Sequence, residues 1–257
     1  MKTFIVEKGK VDLKRPILIE GLPGLGSVGD IAVRYMIKQL KAKLFARLYS
    51  PHFPYYVIVK RNGSARLFRL NFYYWKNEDG DNDLIFLVGD GQAQTIDGQY
   101  DVATRIISFA KAHGVEIVIA VGGYSNHSIE DDRKVFSITT SEGLLKRFGA
   151  AGATPSPPGN PVVGIAGLLI GLAKMNDMDA VSLLGETLGY LPDMKASRDV
   201  LTVLKKAIKI RLSLDKLEEE KDRFKGFLKE VERIGERAIS YEERSRQVEK
   251  LRTTYIS

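Results

Sequence analysis

Ile17-Leu18-Ile19-Glu20-Gly21-Leu22-Pro23-Gly24-Leu25-Gly26-Ser27-Val28-Gly29 is the segment from which the rest of the chain can be read. A short apolar run enters a glycine-dense turn, and apolar residues then recur at Val28, Ile31, Ala32, Tyr35, Met36 and Leu40, the spacing of one helix face. Strand, glycine loop and helix in that order predict an α/β unit. Gly24, Gly26 and Gly29 carry G-x-G-x-x-G spacing, so backbone N–H groups at a helix start could cradle a phosphate. A dinucleotide site also needs an acid about twenty residues on to hold the ribose. No Asp or Glu occurs from Ile31 through Asn77, and Pro23 inside the loop is foreign to that fingerprint. Gly21, Pro23, Gly24, Gly26 and Gly29 therefore stand as a ligand-like loop whose simpler purpose is tight strand-to-helix packing.

Downstream, Leu44 to Trp75 alternates β-branched and aromatic residues, and Asn62-Gly63 supplies the turn of an antiparallel hairpin. Leu84 to Val88 is a continuous apolar run of the kind buried on both faces of a parallel sheet. Asp97 is placed to cap a helix reaching His113-Gly114, and Val115 to Val121 forms the next strand. Arg133 to Thr140 reads as an edge or hairpin strand, and Ser141 with Glu142 opens a short helix. Ala150 to Pro161 carries four prolines and reads as a surface crossing. Pro161 then starts a helix to Lys174, Ala180 to Leu184 is a strand closed by Gly185, and a last core helix runs from Met194 past Ile208. The expected fold is α/β, a central mostly parallel sheet flanked by helices, spanning residues 1–210.

Residues 211–257 form the second expected unit, a charged helical arm and tail. Ile210, Leu214, Leu217, Phe224, Leu228, Val231 and Ala238 follow a 4-3 spacing, interrupted by Lys221 and Gly235. Such a seam packs either on its own domain or on a second copy.

Composition removes several chemistries. The 257 residues include no cysteine, which excludes disulfides, thiolate zinc sites and a cysteine nucleophile, and suits a reducing cytoplasm. The opening residues lack the pattern of a secretory leader, so no export is expected, and the apolar run Val162 to Ala173 is shorter than the ~20 residues of a membrane span. A net charge of +7 favours an acidic partner without choosing one. Arg34, Arg47, Arg66 and Arg69 interleave with Phe53, Tyr55, Phe68 and Phe72, the ingredients of a nucleic-acid platform. Alternating aromatics in a strand more often face a core, so nucleic acid ranks below a protein partner. His52, His113 and His127 fall in no metal-ligand or triad spacing. Asp90, Asp131, Asp132 and Glu186 sit near strand ends without an evident pairing, and Ser125-Asn126-His127 follows a glycine turn as ordinary loops do. No catalytic set, metal site or cofactor is expected.

Three segments in one order resemble a known family: the loop Gly21 to Gly29, the strand end Val121-Gly122-Gly123-Tyr124, and Asn160 to Pro192 with Leu184-Gly185-Glu186-Thr187-Leu188-Gly189-Tyr190-Leu191-Pro192. Together they are similar to the PAC2 family of proteasome assembly chaperones and their archaeal relatives. The resemblance implies a phosphorylase-like fold, a homo-oligomer, and the proteasome core particle or its α subunits as partner. Gly122, Gly123, Tyr124, Gly185, Glu186 and Tyr190 are its ligand-like positions here. Members that dock on the proteasome end in a hydrophobic-Tyr-any motif. This chain ends Leu251-Arg252-Thr253-Thr254-Tyr255-Ile256-Ser257, with the tyrosine one place early and Thr254 where a hydrophobe belongs. Leu251, Thr254, Tyr255, Ile256 and Ser257 are the candidate partner contacts. The charge-rich arm also fits a heat-loving source. Beside the scaffold reading stands an enzyme with a nucleoside or phosphate pocket at the same glycine loops.

Overall fold

Uninterrupted apolar runs become the interior of the sheet, because a strand covered by helices on both faces offers few positions for a polar side chain. In the computed structural model, which describes residues 1–126 and 132–217, strands β1 (Phe4–Glu7) and β2 (Ile17–Glu20) lead to a single 3-10 turn at Leu25–Ser27 and helix α1 (Val28–Gln39). Next come β3 (Lys43–Tyr49), β4 (Val57–Val59), β5 (Ala65–Leu67), β6 (Leu70–Trp75) and β7 (Leu84–Gly89). Helix α2 (Ile96–Ala112), β8 (Ile117–Ser125), β9 (Val135–Thr139) and α3 (Glu142–Ala150) follow. The chain continues through β10 (Thr154–Pro155), α4 (Ile165–Met175), β11 (Asp179–Thr187) and α5 (Met194–Ala207).

Nine strands form one sheet in the order β1-β3-β6-β7-β2-β8-β11-β9-β10, and β4 pairs with β5 apart from it. Parallel pairing joins β7, β2, β8 and β11 in the middle. Toward one edge, β1, β3 and β6 pair antiparallel, and β6 joins β7 antiparallel. On the other side β9 returns antiparallel to β11. The expected mostly parallel sheet is therefore mixed. The loop from Trp75 to Leu84 is too short for a crossover, which leaves the antiparallel return as its only connection. Helices α1, α3 and α5 cover one face and α2 and α4 the other. Beneath α2 and α4 lies a core that includes Leu18, Phe45, Phe72, Ile85, Ile106 and Phe109.

Several boundaries differ from the sequence reading. Asn62-Gly63 turns the small β4–β5 ribbon, with Gly63 at φ 77°, while the larger hairpin is the β3–β6 pair around it. Thr95 caps α2 by accepting from the Gly98 N–H; Asp97 sits in the first turn instead. Helix α4 starts after Gly164, and the residues from Pro161 to Val163 lie outside any helix. Strand β11 runs on through Gly185 to Thr187, because α5 lies over that position, with Ala196 and Val200 filling the space of a Cβ. β10 is an edge strand of two residues ending in Pro155. Helix α5 ends at Ala207, and Lys209 takes φ 55°. Ile210, Leu212 and Leu214 are then buried alternately with exposed neighbours, so Leu214 lies in extended chain and not on a helical seam. The Tyr35 hydroxyl donates to the Ser213 carbonyl at 2.8 Å and holds that segment to α1. Leu217 is buried, and Phe224, Leu228, Val231, Ala238 and residues 251–257 lie outside the described residues.

The glycine loop is positioned by backbone contact. A Cβ at Gly29 would stand 2.1 Å from the Val121 carbonyl oxygen, and one at Gly21 would stand 2.3 Å from the Gly29 carbonyl oxygen. Gly29→Ala is therefore expected to destabilise the fold by about 3 kcal/mol or more. Gly171, inside α4 with open space around it, is the internal control: Gly171→Ala is expected to stabilise by about 0.5–1 kcal/mol. Urea unfolding of both variants measures the pair, and similar values for the two would refute the contact.

Candidate functional site

Where the carboxyl ends of β2 and β8 meet the glycine loop and the start of α4, a cleft of about 820 Å³ opens. Pro23, Gly24, Gly29, Gly122, Gly123 and Tyr124, all singled out in the sequence, line it. This is where ligands enter an open α/β sheet. The loop is nevertheless poorly suited to phosphate. Its Gly21 N–H donates to the Leu87 carbonyl at 2.9 Å, that of Leu22 to Glu20 Oε1 at 2.7 Å, that of Gly26 to Gly189 at 3.1 Å and that of Ser27 to Gly24 at 2.9 Å. Gly26 and Ser27 both take positive φ, 58° and 48°, and Gly26 abuts Thr187. Those amides belong to the fold, as the packing alternative predicts. Asp30 also places a buried carboxylate in the first turn of α1, where a bound anion would be repelled.

Two residues that the sequence reading left out organise the cleft. Gln92, after β7, donates from Nε2 to the Pro23 carbonyl at 3.0 Å and accepts the Ile165 N–H on Oε1 at 3.1 Å. One amide thus joins the glycine loop to the start of α4. Glu20, at the end of β2, is only 2% exposed. In the sequence it ends a short apolar run, and its position immediately before the glycine loop is the available signal. Burial pushes the Glu20 carboxyl up to about 8; the Leu22 N–H opposes that shift, and Asp30 adds to it. Burial also raises Asp30, against the pull of Arg34, whose Nε lies 2.6 Å from Asp30 Oδ1. Glu20 Oε2 is buried without a partner among the described residues, an arrangement that typically costs ~1–3 kcal/mol.

Of the acids chosen from the sequence, Glu186 and Asp90 have structural duties. Glu186 Oε2 accepts the Lys134 N–H at 2.8 Å and Oε1 accepts from Asn126 Nδ2 at 3.1 Å. Asp90 takes both ends of the Arg66 guanidinium, at 2.5 and 2.7 Å, and the Arg69 N–H at 3.0 Å. The Tyr124 ring lies tilted against Phe136, and its hydroxyl accepts from Asn160 Nδ2 at 2.9 Å. Tyr190 is 76% exposed and does not line the cleft. Phe53, Phe68 and Phe72 are buried, so they cannot act as stacking platforms, whereas Tyr55 is exposed. His113 lies 3.3 Å from Glu7 and His52 3.7 Å from Asp101, each away from the cleft. His127 and Asp131 lie outside the described residues. Among the described residues no helix is long and apolar enough to cross a membrane.

The sequence model of the PAC2 family matches residues 18–232. An uncharacterized protein of Methanocaldococcus jannaschii is 30% identical over 227 residues, covering 88% of this chain and 87% of its own length. The crystal structure of Pyrococcus furiosus PbaB, an archaeal proteasome activator, superposes with a TM-score of 0.81 at 37% identity, over 90% of this chain and 99% of that one. Pyrococcus furiosus PbaA, an archaeal homolog of proteasome-assembly chaperone, superposes with a TM-score of 0.75 at 27% identity, over 91% and 98% of the two chains.

The buried carboxyl predicts a pH dependence of stability. Unfolded, Glu20 loses its proton near 4.5; folded, it keeps it to about 8. The native state therefore binds more protons between these values, and the contribution of Glu20 is full below the lower value and lost as pH rises through the upper. Glu20→Gln retains an acceptor for the Leu22 N–H and cannot ionise. Its stability relative to wild type should rise from pH 5 to pH 8, by on the order of 2 kcal/mol, in urea titrations. Parallel pH profiles for the two proteins would contradict the assignment.

Proposed function

This chain belongs to the PAC2 family, and from that membership we propose a proteasome-associated scaffold, which works by presenting surfaces to other polypeptides as a homo-oligomer. The observation that carries the reading is the use made of the glycine loop. Its amides at Gly21, Leu22, Gly26 and Ser27 serve the fold, while Leu25 beside them, and Leu188, Tyr190 and Leu191 from the turn after β11, are exposed. Leu25 lies against Gly189, so the two turns form one apolar crest. An apolar crest at the sheet end is suited to protein contact. The likeness to PbaB and PbaA over nine-tenths of the chain supports the proteasome as the setting.

Within this reading, residues 211–257 supply an arm, with Leu217, Phe224, Leu228 and Val231 on its seam, and Tyr255 with the terminal carboxylate reaches α subunits of the core particle. Several tails on one oligomer raise the effective concentration at repeated subunits, which offsets a weak single contact.

Native mass spectrometry of the full chain, alone and with archaeal proteasome core particles, tests the proposal. An oligomer that binds the core particle is expected, and deletion of Thr253 to Ser257 should weaken that binding at least tenfold. A monomer, or a chain that fails to bind core particles at micromolar concentration, would overturn it. Unchanged binding by the deletion variant would remove the tail from the reading.

A further inference from the structure

A surface helix sets a polar stripe against water and an apolar one against its sheet. Helix α4 has no polar stripe. From Ile165 through Ala173 every residue is apolar or glycine, yet α4 lies in the outer layer, packed against β8, β11 and α2. Its buried residues are Ile165, Leu169 and Ala173. Leu168, Ile170 and Leu172 are partly buried, Gly171 and Met175 are exposed, and nothing stands within 4 Å of a Cβ added at Gly171. A helix that is apolar on every side is suited to burial on every side. The apolar surface extends past α4. Val163, just before it, is 84% exposed, and Ile96 and Tyr100, one turn apart at the start of α2, are exposed as well. Gln99 and Val163 line one cleft, which sets the two helix starts side by side.

Charge selects what covers this surface. In a chain with 28% charged residues, none occurs from Phe148 through Ala173, the longest such stretch in the sequence. Lys174 follows, and it shares a hollow with Glu116, Asp177 and Asp179. An acidic partner therefore finds no cation on α4 before that mixed cluster. A helix that lies in a lipid surface needs a polar face rich in Lys and Arg, which α4 lacks. Two copies of the chain repel one another through their net charge of +7, so they associate most readily where neither brings charge. An uncharged apolar patch is also complementary to itself, the condition for an isologous contact. We infer that the exposed side of α4 is a contact between copies of this chain, α4 of one against α4 of the other about a two-fold axis. The inference rests on the homo-oligomer reading above and assigns it a surface on the α/β domain, separate from the tail and the apolar crest.

Native mass spectrometry and cross-linking of the full chain test it. Gly171→Glu places a charge on the exposed side of α4, and glutamate is a better helix former than glycine, so the protomer keeps its fold, which circular dichroism verifies. Its native mass should be half that of wild type or less. Met175→Glu, at a position 80% exposed, is the second variant and should weaken the assembly at least tenfold. An alanine at position 171 still fits between helices at their usual separation of about 8–10 Å and should keep the wild-type mass. Val59→Glu, which puts the same charge at an exposed apolar position of the β4–β5 ribbon, should keep it too. Because the chain has no cysteine, Gly171→Cys introduces a single thiol, and 1,2-bismaleimidoethane should join two copies covalently, whereas Val59→Cys should stay single. A monomeric wild type would overturn the homo-oligomer reading together with this inference. A wild-type oligomer left intact by Gly171→Glu and Met175→Glu would overturn this inference alone. So would loss of core-particle binding at unchanged mass, which gives the surface to a foreign partner, or flotation of the wild type with phosphatidylcholine vesicles.

Discussion

Backbone laid on backbone at Gly21, Gly29 and Val121 is the constraint from which the rest of the molecule follows. Hydrogen in place of a side chain lets α1 approach the Val121 carbonyl oxygen of β8 at Gly29, and lets Gly21, after β2, approach the Gly29 carbonyl oxygen of α1. That approach turns the loop amides inward onto Leu87, Gly189 and Gly24, and it buries Glu20 beneath them. A spacing that elsewhere cradles phosphate here fastens a helix to a sheet. The difference lies in where the N–H groups point, which no spacing encodes.

Much of the architecture was legible because it rests on local rules. The unbroken apolar run at Leu84 to Val88 could only be an interior strand, and Ser141 before Glu142 caps α3 as read, accepting the Leu144 N–H. The errors share a different origin. Whether Thr95 or Asp97 caps α2, and where α4 begins after Pro161, depends on small differences in loop geometry. The mixed character of the sheet depends on β9 returning beside β11, a partner more than forty residues distant. Periodicity identifies strands; it does not choose their neighbours.

The site shows the same division. Its glycines and Tyr124 were visible as motifs, and most of them do line one cleft. Glu20, Gln92 and Gln99 were not. A single acid ending an apolar run looks like a strand terminus, and lone glutamines look like surface residues. Only the placement of the end of β2, the turn after β7 and the start of α2 around one cleft shows that these three residues belong to a common lining. Glu186 and Asp90 illustrate the reverse case, since acids at strand ends can be fully engaged in holding neighbouring loops.

At the far margin of the sheet, β10 contributes two residues and ends in Pro155, followed by Pro157 and Pro158. Proline has no N–H to offer an incoming strand. Growth of the sheet by addition of another chain is therefore barred along that border. At that border contact with another copy has to proceed through side-chain surfaces, and the open-ended, ribbon-like polymerisation to which naked strand borders are prone is suppressed there; β1 forms the opposite border of the sheet.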